Sequence, residues 1–172
     1  RGANVTLVTG KTAITPPMFV NTVPVISARD MYEAVIARSQ NMDIIIKAAA
    51  VADYRPASVS DEKMKKSDDL SISLERTDDI LQYLGTHKLK HQFLCGFSME
   101  TQNMLENSRK KLEKKHLDMI VANNLKEKGA GFEGDTNIVT MITPDSVTEL
   151  ELMSKDEVAF RLMDQILMLR NK

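Results

Sequence analysis

The run Ile44-Ile45-Ile46, closing on Lys47-Ala48-Ala49-Ala50-Val51-Ala52-Asp53, constrains the fold more than any other stretch. Three consecutive β-branched residues show no alternation, so both faces of the segment they form need cover, as in a strand of a parallel sheet. The side chains that follow are mostly single methyl groups. A ligand can therefore come close to the backbone just past the strand's carboxyl end, which is where open α/β sheets bind. Asp53 is the first carboxylate beyond that end. Lys63, Lys65 and Lys66 follow about ten residues later, on a stretch whose Pro, Ser and Asp content reads as a mobile loop. An acid and a movable group of cations suit a metal-bound polyphosphate.

The neighbouring segments extend this to a layered α/β fold. Asn4 to Thr9 is a short β-rich run closed by Gly10, behind an Arg1-Gly2-Ala3 that reads as a helix end. Pro16, Pro17 and Pro24 exclude helix from the next segment, leaving a loop and a short strand over Val23 to Ile26. Ser27 with Asp30 forms a capping box for a helix to about Ser39, with Met31, Ala34 and Val35 as its apolar stripe. Asp43 to Ala49 is the next strand, completing a parallel crossover. Leu70 to Leu74 alternates strictly and predicts one covered face, as in an edge or an added ribbon. Asp78 and Asp79 open a helix from Ile80 to about His87.

Gln92 to Phe97 returns to the sheet, a helix runs from about Gln102 to Lys115, and Leu117 to Ala122 is another parallel-type strand. Gly129 to Gly134 is a glycine-rich loop. Ile138 to Ile142 and Thr148 to Leu152 read as a hairpin around Pro144-Asp145-Ser146. Ser154 with Glu157 caps a last helix, in which Val158, Leu162 and Ile166 form one line and Ala159, Met163 and Leu167 its neighbour. The expected architecture is a doubly wound, mostly parallel sheet with helices on both faces and an antiparallel appendage, in one domain over 1–172.

Charge and cysteine content narrow the function. The formal net charge of −1 over 172 residues removes long-range attraction to nucleic acid or anionic membrane, so a phosphate ligand must be met by local lysines. The one cysteine, Cys95, allows no internal disulfide, and it forms no metal-ligand spacing with His87, His91 and His116; a reducing, cytoplasmic compartment is expected. No run reaches the about eighteen apolar residues of a membrane helix. Arg1 is not a start methionine, which suggests a chain that begins inside a longer polypeptide.

Distinctive residues fall at three strand ends: Ala48 to Asp53, Phe97 to Thr101, and Ala122 to Asn124. Each has an ordinary explanation beside a functional one. Small residues at Ala48 to Ala50 permit close helix packing as well as a ligand, and Asp53 can form a turn as well as hold Mg²⁺. Three lysines on a loop need no ligand to be stable. Lys111 and Lys115 share one helix face, as do Lys110 and Lys114, and spacing does not choose between the pairs. Phe97 can stack on a base or fill the core. Cys95 lies in an apolar strand and reads as inert packing. The eleven methionines, at helix spacings such as Met163 and Met168, read as core filler. Nucleophilic catalysis by a side chain has no support, and no GxGxxG or Walker loop is present.

Taken together, Ala49-Ala50-Val51-Ala52-Asp53-Tyr54-Arg55-Pro56, Lys63-Met64-Lys65-Lys66, Asp79-Ile80-Leu81, Gly96-Phe97 with Glu100-Thr101, the Lys111 to Lys115 helix leading into Asp118-Met119-Ile120-Val121-Ala122-Asn123, and Gly131-Phe132 with Asp135-Thr136-Asn137 resemble phosphopantothenoylcysteine synthetase. The resemblance covers nearly the whole chain and is specific as an ordered combination. In bacteria this enzyme is usually the C-terminal half of a bifunctional coenzyme A biosynthesis protein, and FMN would belong only to the decarboxylase half that precedes it. The resemblance implies a Rossmann-like, normally dimeric ligase that uses CTP and Mg²⁺ to activate the carboxylate of 4′-phosphopantothenate as an acyl-cytidylate. The amine of L-cysteine then displaces CMP.

Carried over by position, Lys47, Ala48, Ala49 and Phe97 would border the nucleotide, Asp53 would bind it or its metal, and Ala50 would lie along the pantothenate. Asp78, Asp79, Ile80 and Leu81 would contact the nucleotide through a turn that in many relatives reads Asn-Pro-Asp-Ile; Thr77-Asp78-Asp79-Ile80 departs from that pattern. Lys63 would be the catalytic lysine of a mobile clamp, and Lys111 and Lys115 would bind the triphosphate. Leu70 to Leu74 and Thr148 to Leu152 are candidates for the dimer ribbon. Charge neutralisation rather than a covalent nucleophile is what such a reaction needs, in agreement with the residues present.

The family also carries an upstream first strand and helix, with a Gly-Gly-Thr-like turn and an Asn-x-Ser-Ser-Gly loop. This chain starts after them, so a nucleotide-binding fragment without independent activity is the alternative expectation. An NAD-dependent Rossmann enzyme is a third, disfavoured by the lysine pattern and the surroundings of Asp53.

Overall fold

The computed structural model describes residues 2–60, 62–63, 71–100, 103–124 and 134–171. In chain order its elements are β1 (Thr6–Thr9), β2 (Asn21–Pro24), α1 (Ala28–Ser39), β3 (Ile44–Lys47), β4 (Tyr54–Pro56), β5 (Leu74–Arg76), α2 (Ile80–Thr86), β6 (Phe93–Glu100), α3 (Met104–Lys114), β7 (Met119–Asn124), β8 (Thr136–Asn137), β9 (Val139–Ile142), β10 (Val147–Glu149), β11 (Met153–Ser154) and α4 (Lys155–Arg170). They form two compact units, residues 1–38 with 50–80 and residues 39–49 with 81–172.

In the first unit β1 and β2 pair in parallel, with Val8 opposite Val23. The expected capping box starts α1: Ser27 Oγ accepts from the Asp30 backbone N–H at 3.1 Å, and the Asp30 carboxylate accepts from the Ser27 N–H at 2.9 Å. The expected strand over Leu70 to Leu74 needs correction. The ribbon is β4 with β5, Tyr54 opposite Arg76, so only Leu74 of the predicted stretch is in a strand and Leu70 lies outside the described residues. Partner choice decides this: the Arg76 guanidinium sits 5.2 Å over the Tyr54 ring, and Arg55 bonds Glu75 at 2.7 Å. The alternation of Ile72 and Leu74 earns no covered face, and both side chains are exposed.

The second unit holds a five-stranded sheet in the order β10-β9-β7-β6-β3. β3, β6 and β7 are mutually parallel, β9 is antiparallel to β7, and β10 is antiparallel to β9, so four of the five strands point one way. The predicted hairpin is present as β9 and β10, and β8 and β11 add a short antiparallel pair that the sequence pattern did not announce. Alternate residues of each strand face different helices. Phe93, Cys95, Met119, Val121, Val139 and Met141 pack with Val158, Leu162 and Ile166 of α4. On the other face a Cβ at Gly96 would meet Leu81 of α2, and the hydroxyls of Ser98 and Ser108 of α3 are 2.9 Å apart and buried. Small side chains on that face let α3 come close.

One expectation about the opening run is altered. Ile44 and Ile45 are only half-buried and Ile46 is 38% exposed, because among the described residues β3 is an edge strand of this sheet, paired with β6. At the amino ends of these strands the buried Gln92 donates to the carbonyls of Ser39 and Met42 at 2.6 and 2.7 Å and accepts from Leu89 N–H, which ties down the start of β6.

Candidate functional site

The carboxyl ends of β3, β6 and β7 lie side by side, since Lys47 is opposite Gly96 and Ser98 opposite Ala122. This alignment brings Lys47, Ala48 and Ala49 next to Phe97 on one rim of the second unit, with Asn123 on the next strand. Ala48 and Ala49 are exposed, as an accessible backbone requires, and Lys47 is half-buried. Phe97 falls on the α4 face and packs against the core cluster, so its ring serves the core at least in part.

The structure separates the two lysine pairs that spacing left equivalent. Lys110 bonds Glu106 one turn earlier at 2.6 Å, with both side chains more than 60% exposed. That bond and the Lys110 charge hold the Glu106 carboxyl below its ordinary range. Lys111 reaches back to the strand end instead: its Nζ is 2.5 Å from Oε1 of Glu100, the last residue of β6. Lys115 lies one turn further from that rim, half-buried, as the residue that caps α3. Its carbonyl oxygen is so near Gly85 that a Cβ there would come within 1.8 Å.

The first unit carries Ala50, Asp53, Lys63, Asp78, Asp79 and Ile80. Thr77 is the anchor of this group, because its hydroxyl donates to the Ala52 carbonyl at 2.6 Å and its N–H to the Asp53 carbonyl at 3.0 Å. The base of the β4–β5 ribbon is thereby pinned beside Asp53. Asp53, Asp78 and Asp79 are exposed, whereas the Ile80 and Leu81 side chains are buried, Leu81 against Gly96, so any ligand they meet would find their backbone. Lys63 is exposed in the connection between β4 and β5; Lys65 and Lys66 lie outside the described residues, as do Gly131 and Phe132.

Among the described residues no group of three His, Cys, Asp or Glu could hold a metal. Asp53 alone still fits Mg²⁺ delivered with a polyphosphate, since that ion commonly takes one or two carboxylates and fills its other positions with phosphate oxygens and water. Cys95 is fully buried, and burial with the nearby Asp118 charge pushes its thiol up to about 12, which excludes it as a nucleophile. Sequence reasoning gave no role to Glu100, Thr77 or the Asn123–Asn137 amide pair at 3.0 Å. For Glu100 a signal existed: a carboxylate at a strand end just before a lysine-bearing helix.

The family model of the DNA/pantothenate metabolism flavoprotein C-terminal domain matches residues 1–169. The chain is 48% identical over 168 residues to the coenzyme A biosynthesis bifunctional protein CoaBC of Bacillus subtilis (strain 168), covering 96% of this chain and 41% of that protein. It is 43% identical over 171 residues to a cysteine/cysteine sulfinic acid decarboxylase of an unknown prokaryotic organism, covering 98% of this chain and 48% of that one. The chain thus spans less than half the length of these curated relatives. A crystal structure of the C-terminal domain of CoaBC superposes with a TM-score of 0.81 at 50% identity, over 99% of this chain and 79% of that one.

Proposed function

The chain belongs to the DNA/pantothenate metabolism flavoprotein C-terminal domain family, and on that premise we propose that it carries the phosphopantothenate–cysteine ligase activity of coenzyme A biosynthesis. The observation that carries this reading is the rim of the second unit: the exposed Ala48 and Ala49 follow β3, Phe97 is on the adjacent parallel strand β6, and Lys111 of α3 is tethered to Glu100 at the end of β6. Such a rim suits a nucleoside triphosphate.

In the first step a carboxylate oxygen of 4′-phosphopantothenate attacks the α-phosphorus of CTP, and the bond to pyrophosphate breaks. In the second the cysteine amine attacks the acyl carbon, loses a proton and expels CMP. Lys111 and Lys115 hold phosphates, Lys63 closes over the reacting groups, Asp53 and the backbone of Asp78 to Leu81 border the nucleotide, and Ala50 leaves room for the pantothenate. Asp53 would hold Mg²⁺ brought in with the triphosphate, and the ion would supply neutralisation of phosphate charge. The working form proposed is a cytoplasmic homodimer.

The test is pyrophosphate release from CTP, measured in the intact polypeptide in which this chain occurs. Release with phosphopantothenate alone, and CMP release on adding L-cysteine, are expected; Lys63→Gln should abolish both while CTP still binds. CTP binding without pyrophosphate release by the unaltered protein would leave a nucleotide-binding module and overturn the ligase reading.

A further inference from the structure

We infer that Glu100 is a positioning residue that holds Lys111 as a fixed hydrogen-bond donor to a nucleotide phosphate. The inference rests on the reading above for the nucleotide and for its contact with Lys111; the tether itself is read from the geometry. Glu100 ends β6, its side chain is 12% exposed, and both carboxylate oxygens are engaged: Oε1 by Lys111 Nζ at 2.5 Å, and Oε2 by Asn107 Nδ2 at 3.2 Å. Asn107 and Lys111 are one turn apart on α3, so one face of that helix holds both oxygens of the carboxylate at the strand end. Lys111 is 46% exposed, and its ammonium carries three N–H groups, of which Glu100 takes one.

A free lysine here would sweep many rotamers and lose that freedom on meeting a phosphate. The tether removes this cost in advance. It also cancels the net charge, so what Lys111 offers is a directed N–H rather than long-range attraction, consistent with a chain of near-zero net charge. The exposed Glu106–Lys110 pair on the same helix has the same chemistry without a fixed base, and so serves as an internal control.

A double-mutant cycle read by CTP titration calorimetry and by the CTP KM of pyrophosphate release tests this in the intact polypeptide. Glu100→Gln should weaken CTP binding and raise KM about five- to tenfold, the scale of one ordinary hydrogen bond in net terms, with kcat changed less than about twofold. Lys111→Met should cost at least as much, and the double variant no more than Lys111→Met alone. Asn107→Ala, which leaves both charges in place but releases Oε2 of Glu100, should act in the same direction by about two- to threefold, and Glu106→Gln should do nothing. Multiplying effects of Glu100→Gln and Lys111→Met, or unchanged CTP binding in Glu100→Gln, overturn the inference, as does absence of CTP binding by the unaltered protein. Binding with the expected coupling but without turnover fails the ligase reading alone.

Discussion

At the scale of single residues, two glycines in the second unit are required for different reasons, and the difference is measurable. A methyl group at Gly85 would sit 1.8 Å from the Lys115 carbonyl oxygen and 2.8 Å from its carbon, both backbone atoms at the end of α3. At Gly96 it would meet Leu81 Cδ2 at 2.7 Å and Leu117 Cδ1 at 3.1 Å, which are ends of side chains that can turn aside. Gly85 is helical, so alanine there would gain roughly 1 kcal/mol of helix propensity. The backbone collision outweighs that gain. Gly85→Ala is expected to cost about 3 kcal/mol or more and Gly96→Ala about 1–3 kcal/mol, compared by urea unfolding. Equal losses, or a stabilised Gly85→Ala, would refute the packing of α2 against the end of α3. Neither requirement was legible beforehand, because a glycine's neighbours across the fold leave no trace in its own flanking residues. Cys95 was legible, since an apolar run on both sides already described a buried thiol.

At the scale of elements, the helix caps and one apolar line were legible, whereas Ala159 of the expected second line of α4 and Met168, expected as core filler, are exposed. Both capping boxes predicted from Ser27-Asp30 and Ser154-Glu157 are present with both reciprocal bonds, because a cap involves only residues three apart. The line Val158, Leu162, Ile166 is likewise buried, following from helix period alone. The ribbon was misplaced by several residues because pairing of Tyr54 with Arg76 depends on a partner more than twenty positions away. The Ser154 cap yields a prediction. Glu157 is held below the ordinary carboxylate range, first by the Ser154 backbone N–H and then by its hydroxyl. A carboxyl lowered by folding contributes stability at neutral pH that disappears as pH falls through the lowered value. Ser154→Ala removes the N-cap oxygen that accepts from the Glu157 N–H and should cost about 0.5–2 kcal/mol at pH 7 in thermal unfolding. That cost should shrink on acidification as Glu157 takes up its proton; a cost that stays constant down to strongly acid pH would count against the box.

At the scale of the whole molecule, the two units differ in how much they cover. The second has a sheet with helices on both faces and a core in which Cys95, Met119, Val121, Val139 and Ile166 are fully buried. In the first unit, Ile80 at its boundary is the buried residue among those described, and Ile14, Met18, Phe19 and Ile26 are almost wholly exposed. The α/β class followed from the alternation of strand and helix patterns, but this imbalance did not, because hydrophobic residues in a sequence do not say whether another layer covers them. Protection from hydrogen exchange follows buried apolar contact and shielded backbone bonds. The amides of β6, β7 and β9 should thus exchange only on global unfolding, while those of β1, β2, β4 and β5 exchange through cheaper local opening. Mass-resolved exchange on peptides spanning Phe93–Ser98 and Val139–Ile142, set against Thr6–Thr9 and Tyr54–Pro56, measures this directly. Equal protection in all four would mean that the first unit's apolar residues are covered in solution, and would require an additional layer over β1 and β2.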